Sequence, residues 1–89
     1  MNTPTTLDSI FIEIKEDIIK NYGVIIGGKN LYKVLGYPSS NAFRQAVNRE
    51  TVPVKLIEID NRRGKFSFAN DIAYWLANEK FQSEKKGQE

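Results

Sequence analysis

The stretch KNLYKVLGYPSSNAFRQAVNRE, residues 29–50, decides the fold. Lys29 to Leu35 reads as a short helix with Leu31, Val34 and Leu35 facing inward. Gly36 ends it, because glycine accepts the left-handed conformation that closes a helix, and Pro38 bars its continuation. Ser39 or Ser40 is then a good N-cap for a further helix running to about Glu50. Two short helices joined by a tight glycine-containing turn form the sequence signature of a helix-turn-helix.

The second of these helices is two-faced. Ala42, Phe43, Ala46 and Val47 make one side, at i, i+1, i+4 and i+5. Asn41, Arg44, Gln45, Asn48 and Arg49 make the other, with Ser40 at its start, and this side holds neither an acid nor an aliphatic residue. Arg presents a planar fork of donors, and Asn and Gln an amide with a donor and an acceptor side by side. These are the residue types that read base edges, Arg on guanine and Asn or Gln on adenine.

Pro53 breaks the chain out of the helix, and IEIDNRRGKFSF, residues 57–68, follows. Ile57 and Ile59, then Phe66 and Phe68, alternate with the period of two that marks strands, here at about 54–59 and 65–68, and predicts a common inward face. The tip between them needs Asn61 and Gly64 to turn. It does not need Arg62, Arg63 and Lys65. Three cations there can neutralise phosphates and release counterions, or enter a narrow minor groove; they also keep an exposed hairpin from pairing with other edges.

Upstream, Leu7, Ile10, Phe11, Ile14 and Ile18 form the apolar stripe of an amphipathic helix over 7–21, with Thr5 or Thr6 as its cap and Gly23 as its stop. Ile12 and Ile19 fall on a second line, either a broadening of the core face or a contact with a second copy. Val24 to Ile26 predicts a brief extended segment before the Gly27-Gly28 turn. Downstream, Asn70 is expected to cap a last helix buried through Ile72, Trp75 and Leu76. Residues 1–6 are expected to be disordered and 79–89 to form a frayed polar tail, leaving one domain over 7–78.

Composition narrows the functions. The 89 residues contain no Cys and no His, which removes disulfides, thiolate metal sites and the commonest general base. Glu13, Glu16 and Asp17 read as a solvated helix face, and Gly27-Gly28-Lys29 lacks the spacing of a phosphate-binding loop. No catalytic, cofactor or metal residue is expected. Residues 23–70 carry eight Lys and Arg against three acids, a net of +5, between a stretch of −2 before them and −1 after them. A basic middle between acidic ends suits a polyanion. No apolar run is long enough to span a membrane, and the polar start MNTPTTLDS argues against export, so a cytoplasmic, nucleoid-associated protein is the expectation.

From GGKNLYKVLGYPS through AFRQAVNRETVP to NRRGKFSFANDIAYWL, about residues 24–77, the chain resembles the MerR-type winged-helix domains of small phage and plasmid excisionases and excisionase-like transcriptional regulators. The order and spacing of these pieces carry the resemblance. It implies an α+β, mainly α, winged helix-turn-helix with a two-stranded wing, here with an extra N-terminal amphipathic helix. It also implies a double-stranded DNA-binding protein, a transcription regulator or architectural factor without a catalytic site. Helix 40–50 would enter the major groove through Ser40, Asn41, Arg44, Gln45, Asn48 and Arg49. Hairpin 60–65 would reach the adjacent backbone or minor groove through Arg62, Arg63 and Lys65. The helix over 7–21 departs from the family pattern; as core buttress, homodimer contact or partner surface it also supports an alternative, a protein–protein interaction adaptor on the same fold.

Overall fold

In the computed structural model, residues 7–86 are described, their side chains as far as 83. Four helices and a two-stranded antiparallel sheet follow in the order α1 (Leu7–Tyr22), β1 (Ile25–Gly27), α2 (Gly28–Val34), α3 (Ser40–Asn48), β2 (Phe66–Phe68) and α4 (Ala69–Lys86). The chain is thus a small, mainly helical α+β protein, elongated at 48 × 27 × 17 Å. Residues 1–6 and 87–89, which enter the expectations for a disordered start and a frayed end, lie outside the described residues.

The turn between α2 and α3 closes as the glycine predicts. Gly36 has φ +92°, the Gly36 N–H donates to the Lys33 carbonyl (3.0 Å), and the Tyr37 N–H donates to that of Tyr32 (2.9 Å). This is a Schellman stop, which satisfies two carbonyls the helix end would otherwise leave open. Ser39 then caps α3, its hydroxyl oxygen accepting from the Ala42 N–H at 3.1 Å. Phe43 packs between Tyr32 (ring centroids 6.5 Å apart) and Tyr37 (5.6 Å), locking α3 onto α2. Such ring pairs each contribute about 0.5–1.5 kcal/mol beyond area burial.

The sheet corrects the expected pairing. Strand Phe66–Phe68 does not pair along 54–59; it pairs with Ile25–Gly27, in the register Ile25 to Phe68, Ile26 to Ser67 and Gly27 to Phe66. The other side of the expected hairpin is reduced to a single bridge, in which Ile57 and Phe66 exchange two backbone hydrogen bonds of 2.8 and 2.9 Å. Two positions further from the tip, the Ser67 hydroxyl donates to the Lys55 carbonyl at 3.0 Å, so a side chain takes the acceptor there.

The inward face is corrected too. Ser67 and Ile26 share the buried side of the sheet, whereas Phe68 and its partner Ile25 share the open side and remain exposed. A wholly buried serine is tolerable because its hydroxyl is satisfied.

The core joins Ile18, Ile26, Leu31, Leu35, Ala69, Ile72 and Ala73. On α4, Ala69, Ala73 and Ala77 recur every fourth residue and are fully buried, and α1 lies against this helix. Small side chains at that spacing let two helix backbones approach closely. Trp75 and Leu76, expected in the stripe, flank it half-buried. Asn70 is not the cap: α4 starts at Ala69, whose N–H donates to the Val24 carbonyl at 2.7 Å. Because the end of α1 meets the start of α4 there, the two helices in contact run antiparallel. Nor does the helix stop at 78; it continues to Lys86.

Candidate nucleic-acid interface

Every polar residue expected on the open side of α3 is exposed: Ser40, Asn41, Arg44, Gln45, Asn48 and Arg49. The opposite side buries Ala46 and half-buries Ala42, Phe43 and Val47. The helix is nine residues long, Ser40–Asn48, so Arg49 is its C-cap rather than an interior position. Its end is strained. The Glu50 N–H reaches the Val47 carbonyl (3.1 Å) and the Thr51 N–H that of Ala46 (2.9 Å), a second Schellman closure. Here the left-handed position, φ +57°, is held by Glu50 in place of glycine.

The 58–65 loop turns where its residues allow. The Arg62 N–H donates to the Ile59 carbonyl at 3.0 Å, with Asn61 at φ +66° in the third turn position and Gly64 at φ +91°. Arg62 and Arg63 are exposed at the tip. Lys65 differs from them: its ammonium donates to a Glu58 carboxylate oxygen at 2.6 Å, the one ion pair among the described residues. That hydrogen bond, and the lysine charge behind it, hold the Glu58 carboxyl below the usual carboxylate range. Arg44, Arg49, Arg62 and Arg63 have no such partner among the described residues.

One groove brings the two elements together. Ser40, Phe43, Arg44, Val47 and Asn48 of α3 line it with Gly64 and Lys65 of the loop, enclosing about 370 Å³. Phe43 and Val47 form an apolar floor, and Arg44 and Lys65 a cationic rim. Arg62 lines a second concavity within the loop itself, with Glu58, Ile59, Asp60, Asn61, Gly64 and Lys65. Asn41, Gln45, Arg49 and Arg63 line neither. Sequence reasoning missed Glu58, and the signal was available: if Ile57 faces Phe66, then Glu58 faces Lys65, and opposite charges across antiparallel strands attract.

Among the described residues no cluster of His, Cys, Asp or Glu could hold a metal ion, and no buried side-chain nitrogen or oxygen lacks a hydrogen-bond partner. No described helix is long and apolar enough to cross a membrane. No protein-family model, curated protein or solved structure matches the chain.

Proposed function

We propose that the chain binds double-stranded DNA as a winged helix-turn-helix protein, with α3 in the major groove and the 58–65 loop as a wing on the adjacent backbone or minor groove. One observation carries this reading. The donor-rich side of α3 and the cationic loop border a common groove, and four of their guanidinium groups are left without a carboxylate. A helix about 10–12 Å across with its side chains fits the major groove, and the loop borders the same side of it through Gly64 and Lys65. Arg44, Gln45 and Asn48 are the candidates for base edges, and Arg49, Arg62, Arg63 and Lys65 for phosphates.

The test is a salt titration of binding to labelled duplex. About four to six phosphate contacts predict that log K falls with log[salt] with a slope of about −4 to −5. Arg62→Ala with Arg63→Ala should weaken binding to every sequence and flatten that slope by about two. Arg44→Ala should leave more of the slope and relax sequence preference. Equal binding of wild type and the double variant at low salt would sink the wing assignment. No retardation of any duplex at low salt would favour the adaptor reading, whose support is the exposure of Ile12 and Ile19 on α1.

A further inference from the structure

The outer surface of α1 is not explained by the fold or by DNA. Ile12 and Ile19 are 49% and 38% exposed. At 3.6 residues per turn they stand within about 20° of one another and about 150° round the helix from the buried line of Ile10, Ile14 and Ile18. Tyr22, 42% exposed, stands one turn nearer the sheet but about 70° off this line. A seven-residue spacing of apolar side chains is the repeat by which one helix meets another. The occupant of such a line is indicated by the charges beside it.

Lys15 and Glu16 lie on opposite flanks of the isoleucine line, each about 50° from it. A contact with a second α1 running in the same direction, related by a two-fold axis along the helices, brings opposite flanks together. Lys15 of each copy then meets Glu16 of the other, twice over, around layers of Ile12 on Ile12 and Ile19 on Ile19. An antiparallel contact would bring like flanks together instead, Lys15 on Lys15 and Glu16 on Glu16. Asp8 stands near the upper end of the line, where two copies repel, which confines the contact to the stretch from Ile12 to Ile19.

We propose that α1 pairs with α1 of a second copy of this chain in parallel, through Ile12 and Ile19, with reciprocal Lys15–Glu16 ion pairs. The ammonium of Lys15 rests 5.3 Å from the centre of the Phe11 ring, at the side of the line, and swings from there to its partner. The parallel sense has a consequence for the rest of the molecule. The sheet and the α2–α3 pair lie at the C-terminal end of α1, so both copies present α3 at the same end of the dimer. Ile12 and Ile19 stand about 10 Å apart along the helix, so the interface falls below about 1,200 Å² and the dimer is a weak one.

The chain lacks cysteine, so single substitutions report the geometry directly. Under mild oxidation Ile12→Cys should cross-link to itself, and Ile19→Cys likewise, both much faster than Glu13→Cys on the neighbouring face. Sedimentation of the wild type at high concentration should approach twice the 10.2 kDa of one chain. Lys15→Glu alone and Glu16→Lys alone should each stay monomeric, while their mixture should regain the dimer. Far-UV circular dichroism checks that each variant is folded. Cross-linking only between Ile12→Cys and Ile19→Cys would mean an antiparallel contact and overturn the proposal, as would rates no faster than Glu13→Cys. The contact needs no DNA, so its failure and that of the DNA reading are separate results.

Discussion

At Gly27 the constraint is a neighbour rather than a dihedral. Its φ of −144° is ordinary extended backbone, but a Cβ there would lie 2.3 Å from the Phe66 ring. Gly27→Ala must therefore displace Phe66, which bridges to Ile57 beside the 58–65 loop, at a cost of about 1–3 kcal/mol. Urea unfolding should show the loss, and Phe66→Leu in the same chain should recover part of it; an unchanged midpoint would refute the clash. Glu58 makes a different kind of prediction. Its carboxyl titrates below the usual range because Lys65 favours the charged form. The pair's contribution to stability is thus present above the ordinary carboxylate range and is lost as pH falls through the lowered value. An exposed pair adds little, so Glu58→Gln should leave the melting temperature at pH 7 nearly unchanged. If Lys65 is a phosphate contact, the same variant should tighten duplex binding and steepen the salt slope by about one. Weaker binding would show that the pair holds the loop in its binding shape.

Helices were the most legible elements, because both their periodicity and their punctuation are local. Leu7 to Ile18 gives the α1 stripe, Gly36 the turn and Ser39 the cap, and each does so within about four residues of chain. Strands were less legible for the opposite reason. Alternation in 57–68 states that side chains take two sides; it cannot name the partner strand or say which side is inside. Ile25–Gly27 lies about 40 residues away from Phe66–Phe68, and Ser67 is buried because Lys55 supplies an acceptor, a contact that no periodicity encodes. The open side of α3 was readable as a set of donors, but the tie of Lys65 to Glu58 required the register first. The stop of α3 was placed within about two residues, but its left-handed closure at Glu50 escaped notice, since glutamate is an unexpected residue there. Its substitution is informative: Glu50→Gly should raise stability by about 1 kcal/mol, read from the urea midpoint. A drop would mean that the Glu50 side chain does more than occupy a strained cap.

For the whole molecule the margin is narrow. Stability of about 0.05–0.15 kcal/mol per residue amounts to about 4–13 kcal/mol for 89 residues. The core that supplies it is a cluster spanning α1, β1, α2 and α4. Ile72 is fully buried at its centre, and Ile72→Ala should cost about 2–5 kcal/mol, a large share of the total. Unfolding should stay a single cooperative transition seen alike by tryptophan fluorescence and far-UV circular dichroism, because α1, β1, α2 and α4 share one core cluster among the described residues. Two transitions would show that α1 and α4 form an independent unit.

The hydrogen bond from Ala69 to the Val24 carbonyl has a bearing on how the protein is made. Helix α1 leaves the ribosome before α4, and the link between them cannot form until residue 69 and the turns beyond it have emerged. Until then the nascent chain carries Ile10 and Ile18 uncovered, a sticky surface of the kind chaperones and proteases survey. Stalled synthesis or a premature stop before α4 should therefore yield a product that is cleared rather than a smaller working protein.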